Sequence, residues 1–164
     1  MIKTRFQIII VFRRHFKFQI FYIWIKDKKN GKINFESELN KGTVLEIKSL
    51  SKQSRVLELK TGEAFFSVVH NDVPFILITD KGIVTVTGTE FDVKHTVNEP
   101  FSIYLKKGSI QFETNNKIVS LLPGDYLEEI GLGDFKITRI SDSRASVWMD
   151  GNLSFDNTLL SEMV

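Results

Sequence analysis

Residues that could carry out chemistry are few in this chain of 164 residues, and their spacing is unfavourable. Cysteine is absent, which excludes thiolate catalysis, disulfides and cysteine zinc sites. The three histidines, His15, His70 and His95, have no second metal ligand two or four residues away. The sequence also lacks a G-x-S-x-G nucleophile motif and a glycine-rich phosphate loop that opens a helix. We therefore expect no metal, no cofactor and no enzymatic activity.

Two pairs of carboxylates have a spacing that could suit a site. Glu128 and Glu129 are adjacent, so on a strand they would face opposite sides and could not act as a simple acid/base pair. Glu90 and Asp92 would share one face and could bind a carbohydrate or a cation. Because apolar residues alternate with them, the pattern favours the solvated side of an amphipathic strand.

The net charge of +2 conceals two regions of opposite sign. Residues 1–32 contain nine Lys and Arg against Asp27 alone, a formal charge of +8, whereas residues 33–164 carry −6. The basic aromatic run from Arg13 to Phe18 could bind nucleic acid or an anionic membrane surface. The negative body would repel phosphate, and nucleic-acid binding depends on clustered cations. The sequence therefore predicts no nucleic-acid partner.

The first 32 residues resemble a membrane segment only superficially. Arg13, Arg14 and Lys17 separate the apolar runs Phe6–Phe12 and Phe18–Ile25. Each such charge costs about 2.5–3.5 kcal/mol at the centre of a spanning helix. A small-residue cleavage site typical of secretory signals is also lacking. We interpret residues 1–32 as a degenerate membrane or leader segment, or as an edge hairpin.

The rest of the chain has the pattern of short β-strands separated by turn residues. Alternation of period two, 14 Phe and frequent Gly, Asn, Asp and Pro between apolar segments all favour strands over helices. The sequence predicts an all-β fold of many short strands, either stacked and solenoid-like or sandwich-like. The predicted strands are Thr43–Lys48, Arg55–Lys60, Glu63–Val69, Phe75–Thr79, Ile83–Thr87, Glu90–His95, Ser102–Leu105, Ser109–Glu113, Ile118–Leu121, Tyr126–Ile130 and Phe135–Ile140.

One phrase of the sequence occurs twice, 46 residues apart. Its pattern is L-K-x-G-x-x-x-F, first from Leu59 to Phe66 and again from Leu105 to Phe112. Gly62 and Gly108 occupy the same place in the two copies, and we expect Gly62 to end one short strand. Such a repeat fits stacked short strands or two similar corners of a sandwich.

Six phrases follow one another along the chain: GEAFF, PF-x-x-x-T, V-x-GT-x-F-x-V, L-x-x-G-x-I, L-x-PG and W-x-x-G-x-L-x-F. With these phrases in this order, the chain closely resembles the FecR family of periplasmic sensor and anti-sigma proteins. Their glycines, prolines and aromatic residues are expected to be structural, and the resemblance implies no catalytic residue. The motif residues are Gly62, Glu63, Ala64, Phe65, Phe66, Pro74, Gly88, Thr89, Phe91, Gly108, Pro123, Gly124, Trp148, Gly151, Leu153 and Phe155.

The resemblance implies a non-enzymatic role in cell-surface signalling of the type that regulates iron transport. A sensor of this family would relay the state of a TonB-dependent outer-membrane receptor, through that receptor's signalling domain, to an extracytoplasmic-function sigma factor. The sigma factor would be reached through a cytoplasmic region missing from this chain. The domain itself would be periplasmic, and the intact family member would be anchored in the inner membrane.

The same resemblance divides the chain into three parts. Residues 33–146 would form the FecR-like β-domain after the basic leader of residues 1–32. Residues 147–164 would be a junction and the truncated, helical start of a secretin/TonB short N-terminal-like domain, with Asn157 as a helix cap.

Two other interpretations stay open from the sequence. One is a carbohydrate- or surface-binding β-module, suggested by Glu90, Asp92 and the presumed exposed rings of Tyr104 and Tyr126. The other is a truncated gene fragment without independent function, suggested by the interrupted leader.

Overall fold

The computed structural model describes residues 6–15, 18–29, 32–115 and 117–140. Every regular element in these ranges is a β-strand, which confirms the all-β prediction. No helix in this part of the chain is both long and apolar enough to cross a bilayer. The helical start predicted near the C-terminus lies outside the described residues, so the three-part division stays a prediction.

The described ranges contain thirteen strands, and each segment predicted from Thr43 onward is found with its ends moved by two residues at most. Strands in the first 40 residues were not predicted individually. The strands are β1 (Phe6–His15), β2 (Phe18–Asp27), β3 (Ile33–Leu39), β4 (Val44–Leu50), β5 (Arg55–Val68), β6 (Phe75–Ile78), β7 (Ile83–Val86), β8 (Thr89–His95), β9 (Ser102–Lys107), β10 (Ile110–Thr114), β11 (Lys117–Leu121), β12 (Asp125–Gly131) and β13 (Asp134–Arg139).

Strand β5 is the exception to the predicted boundaries. Two short strands were expected on either side of Gly62, but the structure has one strand of 14 residues. Gly62 has φ +108° inside this strand, a conformation that residues with a side chain rarely adopt. The prediction that Gly62 ends a strand was therefore wrong, because glycine lets the strand turn a corner without ending.

Strand β5 belongs to two half-sheets that curl around one core. Its second part pairs with β3 and β8 in the first half-sheet, whose order is β1-β2-β3-β5-β8-β9-β12-β13. Its first part pairs with β4 and β6 in the second half-sheet, whose order is β4-β5-β6-β7-β10-β11. Among the described strands, only the β5–β6 pair is parallel. Of the two predicted arrangements, this resembles the sandwich more than the solenoid.

Aromatic rings fill the space between the half-sheets. Phe66 of the first half-sheet stacks on Phe91 with ring centroids 5.2 Å apart, and it contacts Phe75 of the second half-sheet at 5.6 Å. Phe35 meets the edge of Phe75 at 5.0 Å. All four rings are fully buried. Burying each large side chain contributes roughly 1.5–3 kcal/mol, so these contacts are a main source of attraction between the layers.

A second aromatic group fills the other end of the core. Phe101 stacks on Phe112 at 5.6 Å, and both rings meet the edge of Phe135, at 6.2 and 5.3 Å respectively. Phe101 directly precedes β9 and Phe135 lies on β13, both in the first half-sheet, whereas Phe112 belongs to β10 of the second. The two repeated phenylalanines, Phe66 and Phe112, therefore each lie in one of the two aromatic groups.

Arg55, the first residue of β5, is a charged side chain that is only 2% exposed. Its Nη1 donates hydrogen bonds to Asn34 Oδ1 at 3.2 Å and to the Val69 carbonyl at 3.1 Å. Its Nη2 donates to the carbonyls of Val73 and Thr87. One guanidinium thus links the start of β3, both ends of the loop after β5 and the end of β7. Burial lowers the pKa of this group.

We expect Arg55→Met to lower the free energy of unfolding by about 3 kcal/mol, because it leaves several buried oxygens without a donor. Chemical denaturation followed by circular dichroism would measure the loss. Lys60→Met on the same strand is the matched control, since Lys60 is an exposed residue paired only with surface carboxylates. Equal stability of Arg55→Met and the wild type would contradict the assigned role.

Candidate functional site

The first sequence motif, Gly62 to Phe66, is built around a close contact between β5 and the turn before β4. A Cβ atom at Gly62 would lie 2.4 Å from the Thr43 Cα. The Thr43 hydroxyl accepts a hydrogen bond from the Glu63 backbone N–H at 3.1 Å and lies 2.6 Å from the Asn40 carbonyl. The Glu63 carboxylate accepts a hydrogen bond from Asn40 Nδ2 at 3.0 Å. The polar residues of this motif therefore hold the corner of β5 in place.

Two further motifs, Gly88-Thr89 and Gly108, meet where the chain passes from β9 to β10. Gly108 has φ +94°, and a Cβ atom there would lie 2.6 Å from the Gly88 carbonyl oxygen. The Thr89 hydroxyl donates a hydrogen bond to the Ser109 carbonyl at 3.1 Å. This passage leads from the first half-sheet to the second. The corner at Gly62 leads in the opposite direction, from the second half-sheet to the first. The repeated phrase therefore marks two of the passages between the half-sheets, the corner within β5 and the connection from β9 to β10.

The remaining motif residues in the described part also have structural positions. Ala64, Phe66 and Phe91 belong to the core, whereas Pro74 and Pro123 are exposed at turns. Phe65 lies on the opposite face of β5 and is 9% exposed. The backbone N–H of Gly124 donates to the Leu105 carbonyl at 2.8 Å. Trp148, Gly151, Leu153 and Phe155 lie outside the described residues.

The histidines do not assemble a metal site in the described part of the chain, where no cluster of three potential ligands occurs. His70 is exposed in a loop. His95 Nε2 lies 3.0 Å from the Asp80 carboxylate, and its ring meets the edge of Phe101 at 5.9 Å. The side chain of His15 is not described.

The turn between β6 and β7 is attached to the first half-sheet by two neighbouring residues. Asp80 contacts His95 of β8, and Lys81 Nζ lies 3.0 Å from the Glu129 carboxylate of β12. Glu129 therefore has a role as an ion-pair partner across the core, on the face opposite that of Glu128, as the alternation predicted. The arrangement closes the end of the core that holds the second aromatic group.

The prediction that Asp92 lies on a solvated face was wrong. Asp92 is only 5% exposed, although its side chain faces away from the core. The register places it between Phe65 on β5 and Tyr104 on β9. Tyr104 is 3% exposed, so the prediction of an exposed ring was also wrong there, whereas Tyr126 is half-buried. Burial raises the pKa of the Asp92 carboxyl well above its ordinary value, and the nearby charge of Glu63 adds to this effect.

A small groove crosses the outer face of the first half-sheet between β2, β3 and β5. An aromatic ring lies on β2 and another on β5, with carboxylates from β3 between them. Lys106 Nζ already lies 5.8 Å from the centroid of the Phe65 ring, which shows that this surface accepts a cation. The groove is lined by Trp24, Glu36, Ser37, Glu38, Phe65 and Ser67.

The free strand edges form a second candidate surface. Among the described strands, β4 and β11 each pair on one side only in the second half-sheet, as β1 and β13 do in the first. Ile118 on β11 is 67% exposed and Val44 on β4 is 51% exposed. Unpaired backbone groups beside exposed apolar side chains are a suitable template for a strand from another chain.

Comparisons with known proteins give one consistent result. A family model described as FecR protein matches residues 25–111, which is more than half of the chain. No curated protein sequence matches. Two crystal structures of candidate anti-sigma factors from Parabacteroides distasonis ATCC 8503 have a similar fold.

The likeness to these two structures concerns the fold alone, because sequence identity is low. The first superimposes with a TM-score of 0.66 at 23% identity, covering 79% of this chain and 61% of the other. The second has a TM-score of 0.68 at 22% identity and covers 96% and 72% of the two chains. The chain thus spans less than two thirds of the first of these proteins.

We expect Gly108→Ala to destabilise the protein by about 2 kcal/mol, since the added methyl group would meet the Gly88 carbonyl and would also strain the backbone. Gly131→Ala is the matched control, because a Cβ atom there would contact nothing within 4 Å. Thermal unfolding of both variants beside the wild type would measure the difference. Similar losses at the two positions would disprove the specific importance of the Gly88–Gly108 contact.

Proposed function

Because the chain belongs to the FecR protein family, we propose that it is a non-enzymatic periplasmic signalling domain of an anti-sigma regulator. The single observation that carries this proposal is the family match over residues 25–111, which includes the motif glycines Gly62 and Gly108. The family is regulatory, and the fold likeness to candidate anti-sigma factors agrees with this role.

We propose further that the domain relays the state of a TonB-dependent outer-membrane receptor to an extracytoplasmic-function sigma factor. The receptor would dock through its own signalling domain, and an inner-membrane anchor of the intact regulator would carry the signal to the cytoplasm. The free edges of β4 and β11 support a docking role, since each offers unpaired backbone groups on a rigid, aromatic-filled scaffold.

Binding to the purified signalling domain of the TonB-dependent receptor encoded nearest to this gene would test the relay. Calorimetry should show saturable binding with a Kd of about 1 μM, corresponding to roughly −8 kcal/mol. Val44→Lys or Ile118→Lys should weaken it at least tenfold by placing a charge at the docking edge. Val97→Lys is the control, since Val97 is 94% exposed in a loop outside the strands.

The outcomes of these experiments distinguish a wrong partner from a wrong docking surface. Absence of binding by the folded wild-type chain would overturn the proposed receptor contact. Binding that neither edge variant weakens would retain the partner and exclude both edges as its docking site. A reporter driven by the sigma factor encoded beside the gene should change its output when the gene is deleted, and an unchanged output would overturn the regulatory relay.

The groove on the outer face supports a second candidate function, a carbohydrate- or surface-binding module. Its Trp24 ring and Glu36 carboxylate are groups that sugars use for stacking and hydrogen bonding. Tyr104 no longer supports this interpretation, because its ring is buried. Saturable binding on a glycan array that Trp24→Ala removes would favour this function over the signalling role.

A further inference from the structure

Asp92 is a buried carboxyl on a face that is not the hydrophobic core. It belongs to β8, between the core residues Phe91 and Val93, and its side chain leaves the sheet on the opposite side. It is nevertheless only 5% exposed, and its Oδ1 accepts no hydrogen bond in the described part of the chain. Buried carboxyl oxygens normally have donors, so this orphaned atom requires a physical explanation.

Aromatic rings cover Asp92 from both neighbouring strands. Phe65 lies directly opposite on β5, and Tyr104 lies directly opposite on β9. These rings are 9% and 3% exposed, so water has little access from either side. A carboxylate in such surroundings loses most of its hydration, which favours the neutral acid over the charged form.

The nearest cation on the same strand does not compensate for this loss. Lys94 shares the outer face with Asp92, but its ammonium lies 2.7 Å from the Glu99 carboxylate. Glu63, on β5 beside Lys94 in the register, adds a negative charge near Asp92. The two carboxyls of Asp92 and Glu63 therefore compete for one ammonium that already has a partner.

The other charged groups on this face are also engaged or more distant. Glu90, two residues earlier on β8, pairs with Lys107 at 3.8 Å, and Lys106 lies over the Phe65 ring. The titratable and charged groups facing Asp92 from its own strand and from the neighbouring strands are Glu36, Glu38, Glu63, Glu90, Lys94, Tyr104, Lys106, Lys107, Tyr126 and Glu128.

We propose that Asp92 is a proton-linked conformational switch in the outer face of the first half-sheet. The neutral carboxyl stays buried between Phe65 and Tyr104. When the carboxyl loses its proton, the charged form requires water or a cation, and the side chains of β5 and β9 that cover it must separate. Proton loss thereby exposes aromatic surface on the face that also carries the groove beside Phe65.

The direction of the pH dependence follows from the raised pKa. Above the ordinary carboxyl value of 3.8, the unfolded chain releases the Asp92 proton while the folded chain keeps it. Unfolding then releases a proton, so stability falls as pH rises from the unfolded pKa to the folded pKa. One such proton changes the unfolding constant by up to about tenfold per pH unit in this window.

Unfolding of the wild type, Asp92→Asn and Glu90→Gln over a series of pH values would test the switch. In the wild type and Glu90→Gln, the unfolding constant should rise by up to about tenfold per pH unit within this window. Asp92→Asn should lack this dependence and be the more stable protein at neutral pH. Glu90 is the matched control because it lies on the same strand and face but is half-buried. Identical pH slopes for the wild type and Asp92→Asn would overturn the proposal.

A measurement on the unaltered protein keeps the test independent of how well Asp92→Asn folds. The ¹³C shift of the Asp92 carboxyl should titrate at a pH well above 3.8, and amide hydrogen exchange of β8 and β9 should accelerate over the same range after correction for intrinsic rates. The amides of β10 should not respond. A carboxyl that titrates near 3.8, or exchange that changes equally in β8 and β10, would disprove the switch.

Discussion

The buried guanidinium of Arg55 is the interaction on which the rest of the arrangement depends. Removing a charge from water is costly, and among the described residues no carboxylate pairs with this guanidinium. Backbone carbonyls and one amide oxygen accept its hydrogen bonds instead. Those acceptors come from three separate parts of the chain. Their positions must therefore be correct together, which couples the loop after β5 to β3 and β7.

The two passages marked by Gly62 and Gly108 complete this constraint by backbone contact rather than by a buried charge. At Gly62 and Gly108, close backbone contact takes the place of side-chain packing, because a Cβ atom would meet Thr43 or Gly88 at 2.4–2.6 Å. Aromatic rings then fill the space that the passages define. At the end of the core that holds the second aromatic group, the Asp80–His95 and Lys81–Glu129 pairs attach the turn between β6 and β7 to β8 and β12. Polar contacts thus set the geometry, and apolar burial supplies most of the attraction.

The local pattern of the sequence was enough to predict most strands from Thr43 onward, because alternation and turn residues are short-range signals. It could not show that β5 continues through Gly62, because a turn signal and a corner within a strand use the same residue. It also failed for Asp92, since alternation indicates which face of a sheet a residue occupies but not what covers that face. The burial of Arg55 was not predicted. An Arg that begins an otherwise apolar alternation, followed by Leu57 and Leu59, was the one available signal for the buried guanidinium.

These contacts indicate which parts of the structure can vary between functions and which parts cannot. The inner faces of both half-sheets, the two passages and the Arg55 contacts are mutually dependent, so a change at one affects several elements. The outer face of the first half-sheet is different, because there carboxylates, an ammonium and aromatic rings lie side by side without forming a closed network, as the orphaned Oδ1 of Asp92 shows. In the proposed switch, loss of the Asp92 proton opens this face and leaves the core beneath it closed. The proposed relay would then use a fixed interior and one responsive face to pass a signal between partners.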